Sequence, residues 1–202
     1  MGAFIPRISN RIDWRQLYAA LEQLGGIPAA SATEITGTRA LFRAPFLDLA
    51  EVRKRIDAAG VGEPQQTVLY VDVLEIPGGF TWFSPDTTLS IYARRIEAAA
   101  SARIRLDNRS GRNAANLLLF TNELPTPLTV VAVSAVSADI PVQITNPPPQ
   151  GGLNIRTTAG APARIDLTKA QGVPLTPPPA FVDMLRNSFI FASLLYDMEP
   201  EA

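Results

Sequence analysis

Neither histidine nor cysteine occurs anywhere in the 202 residues. Without cysteine there are no disulfides and no thiolate chemistry, and the compartment is left open. Without histidine the usual general base of a hydrolase is missing, and the zinc motifs lose their ligands. Lysine is nearly absent too. Lys54 and Lys169 are the only two, and neither stands in a Ser-x-x-Lys run. No phosphate-binding loop is present. Charged residues make up 18% of the chain and almost cancel, to a net −1. That balance argues against a nucleic-acid or general polyanion binder, and it does little to oppose self-association. No catalytic residue, metal ligand set or cofactor motif can be assigned.

Long hydrophobic runs are missing as well. The apolar segment Phe189–Tyr196 is far too short to cross a bilayer, so no stable membrane span is expected. The first residues, Met1-Gly-Ala-Phe-Ile-Pro-Arg, lack the apolar stretch and cleavage site of a secretory signal. The expectation is a protein made without a Sec signal, either cytoplasmic or exported by another route.

What is present is β-forming sequence. Short apolar runs recur at Val68–Ile76, Leu89–Ile96, Ala102–Leu106, Leu117–Phe120, Leu128–Val133, Val142–Thr145, Leu153–Thr157 and Arg164–Leu167, divided by Pro, Gly and Asn-Arg-Ser. Two amphipathic helices precede them. Asp13 caps the first, whose stripe is Trp14, Leu17, Tyr18, Leu21 and Leu24, and Gly25-Gly26 ends it. Asp48 and Glu51 open the second, which continues through Val52, Ile56 and Ala59 to Gly60. Between the helices, Glu34–Arg43 reads as a strand or strand pair. A helix over 180–198, apolar nearly all round, follows the proline-rich stretch at 176–179 and needs a cover.

The sequence therefore predicts an α+β protein: a small α/β N-terminal cap over 1–62, a β-rich body over 63–175, and a proline-rich connector with a C-terminal apolar helix over 176–202. Within the body, Leu69-Tyr70, Ile91-Tyr92 and Leu119-Phe120 lie 22 and 28 residues apart, each followed within five residues by Glu75, Glu97 or Glu123. That spacing resembles right-handed parallel β-helix proteins, in which each repeat is one coil. The alternative is a β-sandwich with turns every 8–12 residues.

Three groups are candidate sites. Phe80, Trp82 and Phe83, beside Gly78-Gly79, either present a binding surface or plug the end of the β body. Glu75, Glu97 and Glu123 would line one edge if coils stack. They would then suit binding or cleavage of a polysaccharide, or serve as rim carboxylates paired with arginine. Phe181, Leu185, Phe189, Ala192 and Tyr196 on the last helix form a candidate interface. Six arginines between Arg94 and Arg112 read as a solvated sheet face. The function expected is a non-enzymatic structural or protein-interaction module, self-associating or part of a larger assembly. A carbohydrate-binding or polysaccharide-cleaving β-helix is one alternative. A component of a toxin or secreted assembly is another, since the uncharged stretch Val130–Ala138 has the composition to insert or zip.

Overall fold

The computed structural model describes residues 34–107, 115–133, 140–145, 153–157 and 165–169, together with Arg15, Gln16, Ala19 and Gln23, which are helical. The described chain is β-rich. Its strands are β1 (Glu34–Ile35), β2 (Arg39–Asp48), β3 (Gln66–Ile76), β4 (Thr81–Pro85), β5 (Thr88–Ala98), β6 (Arg103–Asp107), β7 (Asn116–Glu123), β8 (Leu128–Val133), β9 (Ile140–Ile144), β10 (Leu153–Thr157) and β11 (Ile165–Lys169). One helix, α1 (Leu49–Ala59), lies between β2 and β3.

The strands form two mixed sheets. The larger runs β1-β2-β3-β5-β7-β10-β11, and the smaller runs β4-β6-β8-β9. The chain alternates between them. From β3 it crosses to β4, returns to β5, crosses to β6, returns to β7 and crosses to β8. Pairing within β2-β3-β5-β7 and within β4-β6-β8 is parallel. Three successive units of long strand, corner and short strand therefore lie on top of one another. Antiparallel strands finish the stack: β1 on β2 at one end, and β9, β10 and β11 at the other.

Register follows the repeat seen in the sequence. Leu69 pairs with Ile91 and Ile91 with Leu119, while Tyr70, Tyr92 and Phe120 form the next ladder out. The inward residues of the two sheets share one core. Phe42, Leu69, Ile91 and Leu119 from the large sheet meet Trp82, Ile104 and Val130 from the small one. Burial of this kind contributes about 25 cal/mol per Å² of apolar area, so these ladders hold the sheets together.

The uneven pattern of Val68–Ile76 has a local cause. Leu69 and Val71 enter the core and so do Leu74 and Ile76, while Val68 and Val73 do not. The alternation shifts by one residue at Asp72–Val73. The same shift occurs in β2 between Ala44 and Leu47 and in β5 between Ala93 and Ile96. In each ladder the paired residues skip that level, at Pro45, Asp72 and Arg94. Two successive residues thus face outward on every long strand, which places charged side chains side by side across the rungs.

Corners are stacked too. Phe80 N donates to Pro77 O at 3.2 Å, and 22 residues later Ala102 N donates to Ala99 O at 2.9 Å. Gly79, with φ +74, makes the first of these turns, and its N–H donates to Ser101 Oγ in the corner of the next rung. The opposite corner between β4 and β5 is only two residues, and Asp86 takes φ +49 to close it. In the next rung the equivalent link, 108–115, is six residues longer, which changes the repeat from 22 to 28.

The second helix begins and ends as its sequence requires. The Asp48 carboxylate accepts from Ala50 N, and Gly60 terminates it at φ +67. Leu49, Val52 and Ile56 are buried in the common core. Gly60–Gln66 was the soft boundary expected between cap and body; β2 before it and β3 after it pair in parallel over nearly the whole length of β2. β4 was not among the sequence's strand expectations; only Trp82 and Ser84 of its five residues are buried. The C-terminal apolar helix falls outside the described residues, as does the candidate interface at Phe181, Leu185, Phe189, Ala192 and Tyr196. So does most of the first amphipathic helix.

The alternation in β6 is testable. Ile104 is fully buried and Arg103 beside it is exposed. Ile104→Ala should lower stability by about 2–5 kcal/mol, and Arg103→Ala should stay within about 0.5 kcal/mol, both read by denaturant unfolding.

Candidate functional site

The outer face of the large sheet carries two ladders one above the other. The first is aromatic. Tyr70 and Tyr92 stack with centroids 5.0 Å apart at 30°, and Tyr92 and Phe120 at 4.7 Å and 7°. The Arg43 guanidinium lies 5.6 Å from the Tyr70 ring centre and extends the row by a cation–π contact. In-register pairing puts these rings face to face, so each uses its face on a neighbour and turns an edge to its surroundings. Burial raises the Tyr92 pKa above the ordinary tyrosine value, with the Tyr70 hydroxyl adding to it.

The second ladder is ionic and sits at the level where the alternation shifts. Asp72 is 2% exposed, and Arg94 donates to both of its carboxylate oxygens, at 2.6 and 3.2 Å. Arg94 also reaches Glu123 at 3.0 Å. Arg95 holds the other oxygen of Glu123 at 2.6 Å and Glu97 at 2.5 Å. The chain Asp72–Arg94–Glu123–Arg95–Glu97 so crosses three rungs. Burial works against the charged Arg95 guanidinium, but the bonds to Glu123 and Glu97 outweigh it and hold its pKa above the usual arginine value. At the margin, Arg15 bonds Asp48 at 2.5 Å and Glu75 at 3.0 Å and lies over the Phe46 ring. Its pKa is raised first by the bond to Asp48.

Glu75, Glu97 and Glu123 therefore share one edge, though not one row. Glu75 pairs directly with Glu97, whereas Glu123 pairs with Arg95. The 28-residue offset would put residue 125, not 123, opposite Glu97. Each of the three carboxylates is bonded to arginine. Arg94 and Arg95 were the sequence's missed contributors. They were read as part of one basic run, yet they lie on the large sheet while Arg103 and Arg105 lie on the small one. The signal that could have exposed this is the 22-residue offset itself, which sets Arg94 against Asp72.

The aromatic candidates separate. Trp82 is 1% exposed in the core, Phe80 packs partly buried against it, and Phe83 points outward at 38% exposure. Arg53 of α1 stacks 4.2 Å over the Trp82 ring, is held by Glu63 at 2.5 Å, and donates to Phe83 O at 3.0 Å. That carbonyl lies on the outer edge of β4, so the helix and its arginine close the small sheet at this end. On the outer face of the small sheet, Thr81, Arg103, Thr129 and Gln143 form one row. Phe83, Arg105, Val131 and Pro141 form the next.

Among the described residues, no group of three or more acidic, His or Cys side chains is placed to hold a metal ion. No helix among them is long and apolar enough to cross a membrane. No family model, curated protein or solved structure matches the chain.

Two measurements check the ladders. Asp72→Asn should cost roughly 2–3 kcal/mol, somewhat under the value for breaking a fully buried pair, because Arg94 keeps Glu123. The Asp72→Ala/Arg94→Ala double variant should recover part of the loss in a double-mutant cycle. Tyrosinate absorbance compared between wild type and Tyr92→Phe should show the missing group ionising above the normal tyrosine range. Because that pKa is raised on folding, the associated stability is present at neutral pH and disappears as pH rises through the folded value.

Proposed function

We propose that the chain is a non-enzymatic structural or protein-interaction module built as a short β-solenoid. Three stacked rungs would coil with the right hand that parallel crossovers take, and antiparallel strands would serve as their terminal caps. The observation that carries the reading is the saturation of the carboxylate edge. Glu75, Glu97 and Glu123, the acids placed to do chemistry, are all committed to arginine partners. Glycoside cleavage needs two carboxyl groups facing a sugar, and carboxylates whose oxygens are taken by guanidinium groups are not presented to one.

The polysaccharide alternative has less behind it. Sugars dock on exposed aromatic faces, and the Tyr70–Tyr92–Phe120 row has its faces occupied by one another. Insertion or zipping through Val130–Ala138 is also less supported, since Val130 and Ala132 are fully buried in β8.

The module reading expects association with a copy of itself or with a protein partner, and no polysaccharide turnover. Light scattering between micromolar and millimolar concentration, chemical cross-linking in the native host extract, and reducing-end assays on a polysaccharide panel test it together. A clean monomer with no cross-linked protein overturns the interaction role. Sugar release that is lost in Glu97→Gln or Glu123→Gln overturns the non-enzymatic one.

A further inference from the structure

Part of the outer face of the large sheet is shut away from solvent. Val73 is 0% exposed and Ser90 2%, and Leu41 and Val68 are buried beside them, although the alternation turns all four away from the common core. Side chains standing on a sheet are walled by their row neighbours and open above, so burial this complete needs a layer on top. The Ser90 hydroxyl stands between Val68 and Leu118 and is buried with no hydrogen-bond partner, as it would be beneath apolar side chains.

Among the described residues outside the strands and their corners, Arg15 reaches this face. It bonds Asp48 and Glu75 and lies over the Phe46 ring, all outward residues at one end of β2 and β3. Arg15, Gln16, Ala19 and Gln23 are helical and exposed. At about 100° per residue, these four centre on a direction about 180° from Trp14, Leu17, Tyr18, Leu21 and Leu24. The chain also has to travel along the sheet. From Arg15 at the Asp48 end it arrives at Glu34, which pairs with Leu41 near the other end. Leu41 and Asp48 are seven residues apart on β2, about 23 Å at the rise of a strand. A helix over Asp13–Leu24 covers about 18 Å of that distance.

We infer that the occupant of this face is the chain's own first amphipathic helix, residues 13–24, with its apolar stripe on the sheet and Arg15 as the latch at its start. The large sheet's outer face is then an intramolecular docking surface, which a partner reaches only by displacing the helix. Arg15 is tied to the sheet by charge and joined to β1 by a short stretch of the same chain, so its own helix competes at high effective concentration against a second copy. The inference goes beyond the interaction-module reading and holds with or without a partner.

Three measurements on the full chain test it. Trp14 emission, taken as the difference between wild type and Trp14→Phe, should lie to the blue and resist acrylamide quenching. The emission of a free indole overturns the proposal. Arg15→Lys places a primary amine beside Asp48 and Glu75, and a zero-length carbodiimide should couple position 15 to one of them, read by peptide mass mapping. Mixing isotope-labelled with unlabelled protein assigns the link. Links within one isotope place the helix on its own sheet, whereas mixed links make the occupant a second copy and overturn the proposal, as does no link. In the Leu17→Asp/Leu21→Asp variant the Trp14 component should shift to the red and bis-ANS should bind the bared face, with the near-ultraviolet signal of buried Trp82 retained. Trp14 still shielded in that variant overturns the proposal. Should the Trp82 signal be lost instead, the quenching and cross-linking results on the folded chain decide. None of these readouts requires a partner, so failure here leaves the module reading standing.

Discussion

In-register parallel stacking is the constraint from which the other features follow. When successive rungs pair residue on residue, every side chain lies about 4.8 Å from the side chain at the same level above it. Whatever occupies a level must tolerate its own kind. Aliphatic residues do so readily, and Leu69, Ile91 and Leu119 make an unbroken inner column. Aromatic rings tolerate it by stacking, which the 7° between Tyr92 and Phe120 shows. Like charges do not. Glu75 over Glu97 is an unfavourable neighbour pair, and the structure offsets it from the sides, with Arg15 on the first and Arg95 on the second.

The same constraint explains why the third rung departs from the second. A strict continuation of the glutamate column would set a third carboxylate over Glu97. β7 instead ends early, at Glu123, and the level above Arg95 receives the acid. Opposite charges alternate across the rungs as a result, and Arg95 bridges two of them. Between β6 and β8 the offset falls to 26 residues, where the long strands differ by 28. The six residues gained at one corner are partly returned by the two that β7 gives up before the next. The repeat is irregular in sequence because the 108–115 link is longer and because the residue that would stand opposite Glu97 is Pro125, which β7 stops short of.

This also sets what the sequence could reveal. All eight of the short apolar runs overlap strands because hydrophobicity over four or more residues is a local property, and the Asp48 and Gly60 caps are equally local. β4 escaped because its inward positions are Trp82 and Ser84, one of them polar. Ser84 fits there by bonding the Thr87 side chain at 2.6 Å, a partner that exists only once the corner is folded. The shift in alternation at Asp72 hid in the same way: Val71 and Val73 are both apolar and both buried, although they point to opposite faces of a strand that is covered on each side. The edge of Glu75, Glu97 and Glu123 was visible as spacing, but its neutralisation was not. Arg94 and Arg95 meet Glu123 across 29 and 28 residues and Arg15 meets Glu75 across 60, pairings that only the fold creates; Arg95 with Glu97 is the local one.

A parallel stack has no intrinsic end, so its length has to be imposed. Here each termination is chemically distinct. At the start of the small sheet a helix lies across β4, and Arg53 donates to the Phe83 carbonyl that another strand would otherwise take. At its far end β9 runs antiparallel and carries Pro141, which cannot donate to a further strand. In the large sheet β2 carries Pro45 beyond the short pairing with β1, and β10 and β11 reverse direction over β7. Devices of this sort oppose open-ended growth through the strand edges. What the described strands then offer their surroundings is side chains rather than open backbone: carboxylates already bonded to arginine on the large sheet, and Arg103 and Phe83 on the small one.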